Sequence, residues 1–269
     1  MKNISSKIVP IVIPYFNAPE ALSLTIKRVE ALIGVKTKLF IRDNTVDNIL
    51  FTRAVNEGLR QFSFSSKYDY ILVLNHDALL HPESLKQMIA TMNSDPQIGI
   101  CAPVALSKDK AVNWAGSAQA FPWGCHITCN LTELPTHPFE TYWVNGACML
   151  LRSEMIREIG LLDENMKFIC SDSDYSFTAR ARGWKCIVVQ DAFVDHEPHG
   201  SADMVTPWLN KIKLEDQLFF AKKWVSADLY RHLSYEGANL NLAFIQAEIR
   251  NTQLILDQLN SNSHADKNE

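Results

Sequence analysis

Apolar side chains along this chain follow two periods that alternate. Short apolar runs at 9–14, 70–74 and 98–104, with a strand-like segment at 37–42 whose centre is apolar, are separated by 18–33, 50–62 and 82–92, where apolar residues recur every three or four positions. A strand buried on both faces reads as an unbroken apolar run, and a helix that buries one stripe reads with a period of 3.6. The first helical stretch carries Leu22, Ile26, Val29 and Ile33 on its stripe, with Pro19 at its start and Gly34 at its end, as helix termini favour. Strands and helices alternating through short loops predict right-handed βαβ units. The expected fold class is α/β, a mostly parallel central sheet flanked by helices.

The pattern dissolves over 112–139, which holds Trp114, Trp123, two glycines and three prolines. Such a long irregular stretch is either a substrate-side loop or lid, or a connector with buried tryptophans. An apolar run returns at 142–152, followed by a short helix at 154–160, a helix at 175–182 closed by Gly183, and a strand at 185–190. From there the chain turns helical, at 208–224 and 240–259, before a polar tail at 261–269. Leu242, Ile245, Ile249, Thr252, Leu256 and Leu259 form a short heptad seam, read as packing within the domain or as a homodimer contact. Trp208, Lys211, Lys213, Lys222, Lys223 and Trp224 form either a basic, aromatic face for an anionic membrane or a core face with solvated lysines.

Composition narrows the classes. The chain is 47% hydrophobic and 21% charged, with a formal charge of -4, which argues against a surface built to grip nucleic acid. Six cysteines show no disulfide framework, so free buried thiols are expected. Cys125-His126-Ile127-Thr128-Cys129 has loosely zinc-like spacing, with no second pair to complete it. The apolar stretch 8–16 is broken by Pro10 and Pro14, too short for a spanning helix. The expected location is cytoplasmic, with peripheral contact at the inner face of a membrane as the further option.

Four polar clusters follow apolar runs: Asp43-Asn44, Asn75-His76-Asp77, Asp172-Ser173-Asp174 and His196. Strands of a parallel sheet end on one edge, where ligands of open α/β sheets collect, so these clusters are expected to converge. A carboxylate directly behind 70–74 is placed to hold a divalent cation against a diphosphate. The competing reading of Asp77 is a cap on the helix near His81-Pro82-Glu83. A lone His196 has its own alternative, a core or hydrogen-bonding histidine.

Several segments resemble a known family when taken in order. They are Pro14-Tyr15-Phe16-Asn17, Ile41-Arg42-Asp43-Asn44-Thr45, Leu74-Asn75-His76-Asp77, Asn145-Gly146-Ala147-Cys148 and Gly160-Leu161-Leu162-Asp163-Glu164. Asp172-Ser173-Asp174 with Ala179-Arg180-Ala181-Arg182-Gly183-Trp184, and Asp191-Ala192-Phe193-Val194-Asp195-His196, complete the set. Together they resemble family 2 inverting glycosyltransferases, the rhamnosyltransferase-like branch most. The resemblance implies a GT-A domain at 1–205 and a C-terminal helical extension at 206–269 with a frayed tail. It implies inverting transfer of a hexosyl or deoxyhexosyl group from a nucleotide-diphosphate sugar. The implied acceptor is a glycan or glycolipid hydroxyl in polysaccharide or glycoconjugate synthesis.

The residue roles implied are these. Asp77 and His196 are expected to bind Mn2+ or Mg2+, cations that suit carboxylate, imidazole and phosphate. Asp172 is the expected base on the acceptor hydroxyl, with Asp174 as second choice or orienting partner; helix N-terminal charge is the alternative for both. Asp43 is expected to accept from the imide N–H of uracil or thymine, which favours UDP or dTDP donors. Pro14, Tyr15, Asn17, Asn44, Asn75, His76 and Gly146 are expected to line the nucleotide-sugar pocket. The chain departs from the family at Asn75, where a first Asp is usual, and at Ser171, where a Glu commonly precedes the base. His199 is a candidate substitute for His196. The missing carboxylate keeps open a non-catalytic nucleotide-sugar-binding protein, and a transferase acting on modified DNA shares the chemistry but suits the acidic charge poorly. A dehydrogenase would want a glycine-rich loop where Pro14-Tyr15-Phe16-Asn17 stands.

Overall fold

The computed structural model describes residues 8–118, 125–197, 206–225 and 242–265. Its order begins β1 (Val9–Tyr15), α1 (Pro19–Glu30), β2 (Thr37–Asp43), α2 (Leu50–Phe62), β3 (Tyr70–Leu74), β4 (Leu79–Leu80), α3 (Ser84–Ser94) and β5 (Ile98–Leu106). The irregular stretch contributes the short strands β6 (Val112–Trp114), β7 (Ser117–Ala118), β8 (Cys125–His126) and β9 (Phe139–Glu140). Then come β10 (Cys148–Arg152), α4 (Ser153–Ile159), α5 (Ser171–Ala181), β11 (Lys185–Asp195), α6 (Pro207–Val225) and α7 (Leu242–Ala265).

The main sheet runs β2-β1-β3-β10-β5-β11-β4, with β6 added beside β5 and β9 beside β11. β1, β2, β3, β5 and β11 share one direction, while β10 runs against β3 and β5. The sheet is therefore mixed but mostly parallel. β3 and β5 are buried at every residue, which is why they read as unbroken apolar runs. α2 approaches so closely that a Cβ on Gly58 would lie 2.5 Å from the Val12 side chain. Only glycine permits that separation.

β11 is longer than its apolar run suggests. A register shift between Val189 and Phe193 absorbs the intervening residues, and pairing with β5 resumes through Asp195. His196 is thereby carried to the sheet edge.

The C-terminal helices join the domain through two smaller apolar clusters. Trp143, Met166 and Phe177 pack with Phe220, Trp224 and Ile245, and Leu50 packs with Leu209 and Ile212. On α7, Ile245, Thr252 and Leu256 of the heptad seam are buried, whereas Leu259 is exposed. The two readings of α6, a membrane face or a core face, are divided between its residues: Trp208 is exposed, but Trp224 is buried and Lys223 pairs inward with Asp163 and Asp174. Among the described residues, no helix is long and apolar enough to cross a membrane.

Candidate active site

Parallel strands deliver their last residues to one edge. Tyr15 ends β1, Asp43 ends β2, Leu74 ends β3 and Asp195 ends β11. Asn17 takes a φ of 42°, a left-handed turn that asparagine tolerates. The Asn44 N–H donates to Tyr15 O at 2.8 Å, stitching the turn after β2 to the end of β1. Asp43 is exposed, and its Oδ1 accepts the Thr45 N–H at 2.8 Å. Asn44 is buried, with its Oδ1 unpaired.

Behind β3, His76 and Asp77 face different surroundings. The buried His76 ring places Nδ1 3.2 Å from Pro14 O, and Thr25 Oγ1 donates to His76 O at 2.7 Å. Tyr15 meets the ring edge-on at 5.8 Å. His76 thus ties the end of β3 to the end of β1. Asp77 does not cap a helix: β4 intervenes, and α3 starts at Ser84 after Glu83.

Asp77 Oδ1 is closed to solvent, has no hydrogen-bond partner, and lies 3.5 Å from His196 Nε2. Burial pushes this carboxyl's pKa up, but His196 and His76 outweigh it and hold the group below the usual carboxylate range. His196 is fixed through its backbone, donating from N to Leu106 O at 2.9 Å and accepting at O from Asn113 Nδ2 at 2.6 Å. An unsatisfied anionic oxygen beside an imidazole nitrogen is a donor pair that fits Mn2+ or Mg2+. Among the described residues no group of three or more His, Cys, Asp or Glu forms a metal cage. His199 lies outside the described residues.

The antiparallel direction of β10 brings a further segment to the same edge. Because β10 starts where β3 ends, Asn145-Gly146-Ala147 sits beside Asn75. The Asn75 N–H donates to Ala147 O at 2.9 Å, and the Gly146 N–H donates to Asp172 Oδ2 at 2.8 Å. The Ser173 N–H donates to Asp172 Oδ1 at 2.8 Å. Two residues of β10's lead-in therefore connect Asp172 to the Asn75-His76-Asp77 turn. Asp172 keeps part of its surface open, yet protein crowds it, and burial raises its pKa against the pull of both N–H groups.

The Asp172-Ser173-Asp174 cluster does not follow a strand, as the sequence pattern suggested. It forms the first turn of α5, which opens after Cys170 takes a φ of 65°. Asp174 is 2% exposed, and its carboxylate is taken by Lys223 Nζ at 2.9 Å and Trp224 Nε1 at 2.7 Å.

The family model described as Glycosyltransferase like family 2 matches residues 8–208. The chain belongs to glycosyltransferase family 2. Solved structures share the GT-A fold of this family 2 chain. GalNAc-T7 with UDP, GalNAc and Mn2+ superposes with a TM-score of 0.56 at 12% identity, over 91% of this chain and 55% of that one. S. aureus TarS gives 0.55 at 14% identity, over 91% of this chain and 43% of that one. Residues 1–349 of TarS in complex with UDP give 0.54 at 13% identity, over 82% and 66%. The chain thus spans between 43% and 66% of the length of these neighbours, and the likeness is one of fold. No curated protein matches the chain in sequence.

Sequence reasoning did not mark Asn113, which bonds the His196 backbone, or Asp216 on α6, which accepts the N–H groups leading into α5. Nothing in the apolar pattern marks Asn113. Asp216 had a signal: it shares the stripe Leu209, Ile212, Phe220 at helical spacing, and a carboxylate on a buried stripe must find partners.

Proposed function

We propose that this family 2 chain transfers a sugar from a nucleotide-diphosphate donor, UDP or dTDP, to an acceptor hydroxyl with inversion at the anomeric carbon. One observation carries the reading: unpaired Asp77 Oδ1 beside His196, joined through Asn75 and Gly146 to the part-open Asp172. UDP and Mn2+ in structures of fold neighbours support the donor and metal classes.

Asp172 accepts the hydroxyl proton as the acceptor oxygen attacks. The new glycosidic bond forms while the bond to the β-phosphate oxygen breaks, and its electron pair departs with the nucleoside diphosphate. A single displacement of this kind inverts the centre. The Gly146 and Ser173 N–H groups orient the base, each occupying one lone pair of its carboxylate oxygens and leaving others for the proton. Asp77 and His196 would hold Mn2+ or Mg2+, which when bound supplies positive charge to the leaving diphosphate. Pro14, Tyr15, Asn17, Asn44 and Asn75 border the nucleotide, and His76 acts by joining the two strand ends. Asp174 orients α5 and is not the base, because its oxygens are committed to Lys223 and Trp224.

The rhamnosyltransferase-like branch and a glycan or glycolipid acceptor are what the resemblance of the motifs implies. The test is nucleotide release from a panel of UDP- and dTDP-sugars with Mn2+. Asp172→Asn and Asp77→Ala are expected to abolish most of it. Full turnover in both variants would remove the proposal, and donor binding without turnover in the parent chain would favour a binding protein.

A further inference from the structure

The chain around the start of α5 is gripped by α6 at two points, one on the lead-in before Asp172 and one on the first helical turn after it. Asp216 is fully buried on α6, and its carboxylate accepts three consecutive backbone N–H groups. These are Lys167 at 2.9 Å, Phe168 at 2.7 Å and Ile169 at 2.9 Å. Further along α6, Lys223 Nζ donates to Asp174 Oδ2 and Asp163 Oδ2, both at 2.9 Å, and Trp224 Nε1 donates to Asp174 Oδ1 at 2.7 Å. Between these attachments lie Cys170, Ser171, Asp172 and Ser173.

Apolar contact alone would dock a helix here, as Leu209 and Ile212 do against Leu50. Burying two carboxylates is unfavourable unless each is fully bonded. What they add is direction. Three adjacent N–H groups on one carboxylate fix both the place and the rotation of 167–169, and the indole N–H fixes the helix one turn on. The left-handed Cys170 then has a single course into α5.

We infer that α6 is the base-positioning element of this enzyme, with Asp216, Lys223 and Trp224 as positioning residues that set where Asp172 stands. The inference rests on the reading of Asp172 as base. It also places essential machinery beyond the family match, which ends at residue 208.

The test uses the full chain with Asp216→Asn and Lys223→Gln, reading nucleotide release from UDP- and dTDP-sugars together with affinity for UDP in Mn2+. The expected outcome is a kcat lower by roughly tenfold or more, with donor KM and UDP affinity unchanged within about twofold. A purely structural role would lower both together. Unchanged kcat in both variants, or kcat and UDP affinity falling in step, overturns the inference. Should Asp216→Asn fail to fold, Trp224→Phe keeps an aromatic, though smaller, ring in the buried site and removes one N–H donor. There kcat is expected to fall roughly threefold at constant UDP affinity, and an unchanged kcat counts against the inference. Asp172→Asn, run in parallel, separates the two readings. Full turnover in it removes the base, whereas an inactive Asp172→Asn beside fully active α6 variants removes only the positioning role.

Discussion

The sheet edge behind β3, the proposed donor edge, and the start of α5, the proposed base side, hold their carboxylates by different means. Asp77 follows a strand buried at every residue, and sheet register alone carries it to the edge. Asp172 stands on a helix whose approach is fixed by side chains distant in sequence, Asp216 above all. Their ionisation differs in the same way. Two imidazoles keep Asp77 below the usual carboxylate range despite burial, while burial lifts Asp172. The contrast suits the chemistry: a ligand of a cation must stay charged, and a base must be willing to take a proton.

The largest expected effect breaks the base side alone. Asp172→Asn keeps an oxygen to accept one N–H but cannot take the proton, so kcat should fall about a thousandfold while UDP affinity holds. Nucleotide release and calorimetry with UDP check the split. In the parent chain the raised pKa has a sign. The ionised form is the working base, so kcat should decline on acidification from a higher pH than an ordinary aspartate would give. The same shift makes the ionised, active form the less stable one. Its folding cost grows as pH rises from the unfolded value of about 3.9 through the raised folded value. A pH–kcat profile whose acid limb lies at or below that ordinary value would contradict the assignment.

Next in size is the donor edge. Asp77→Ala removes the unpaired oxygen beside His196 and should lower turnover by about a hundredfold. It should also weaken the dependence of UDP affinity on Mn2+, which Asp172→Asn should leave intact. If the two variants lose the Mn2+ response equally, the division of labour between the two sides is wrong.

The same division decides how much the sequence reveals. β3 and α2 have the bounds that the apolar pattern predicts at 70–74 and 50–62, because a strand or helix buried in one core leaves a local signature. Asn75-His76-Asp77 is legible for that reason, since it follows β3 directly, and Asp43 is legible as the residue that closes β2. The direction of β10 is not written in the apolar run at 142–152, since a buried strand has the same composition either way. That reversal brings Gly146 to the site. The Asp172 cluster read as a strand end because the left-handed Cys170 that starts α5 has no compositional mark. On α6 the lysines and tryptophans read equally as a membrane face or a core face, and it is their partners that decide: Trp224 and Lys223 turn inward to Asp174. Pairing of that kind depends on tertiary neighbours, not on spacing. Over 112–139 the strands are two or three residues long, too short to show a period.

A smaller change sits on the seam between the two sides. A Cβ at Gly146 would stand 3.1 Å from Phe51 Cζ and 3.2 Å from Asp172 Oδ2. Both neighbours must yield by a few tenths of an ångström, and the base moves with them. Gly146→Ala should therefore lower kcat by roughly tenfold while the Mn2+ response persists. If kcat is untouched, Asp172 does not need its present placement, and the base side is less sharply held than the donor edge.

The smallest effect tests what the donor edge selects. Asp43 Oδ1 is already bonded to the Thr45 N–H; the Thr45 side chain and that N–H hold the carboxylate below its usual range, and the residue is exposed at the end of β2. Removing one solvent-screened hydrogen bond to a base imide should raise donor KM by roughly threefold to tenfold and leave kcat alone. Asp43→Ala should show this with UDP- and dTDP-sugars. With a GDP-sugar, the guanine N1–H is also a donor, but the larger ring sets it farther from the ribose, so no comparable change is expected. A KM shift of equal size for both base classes would mean that Asp43 acts through the turn at Thr45 and not by reading the base. Selection would then pass to Asn44, whose buried Oδ1 is without a partner.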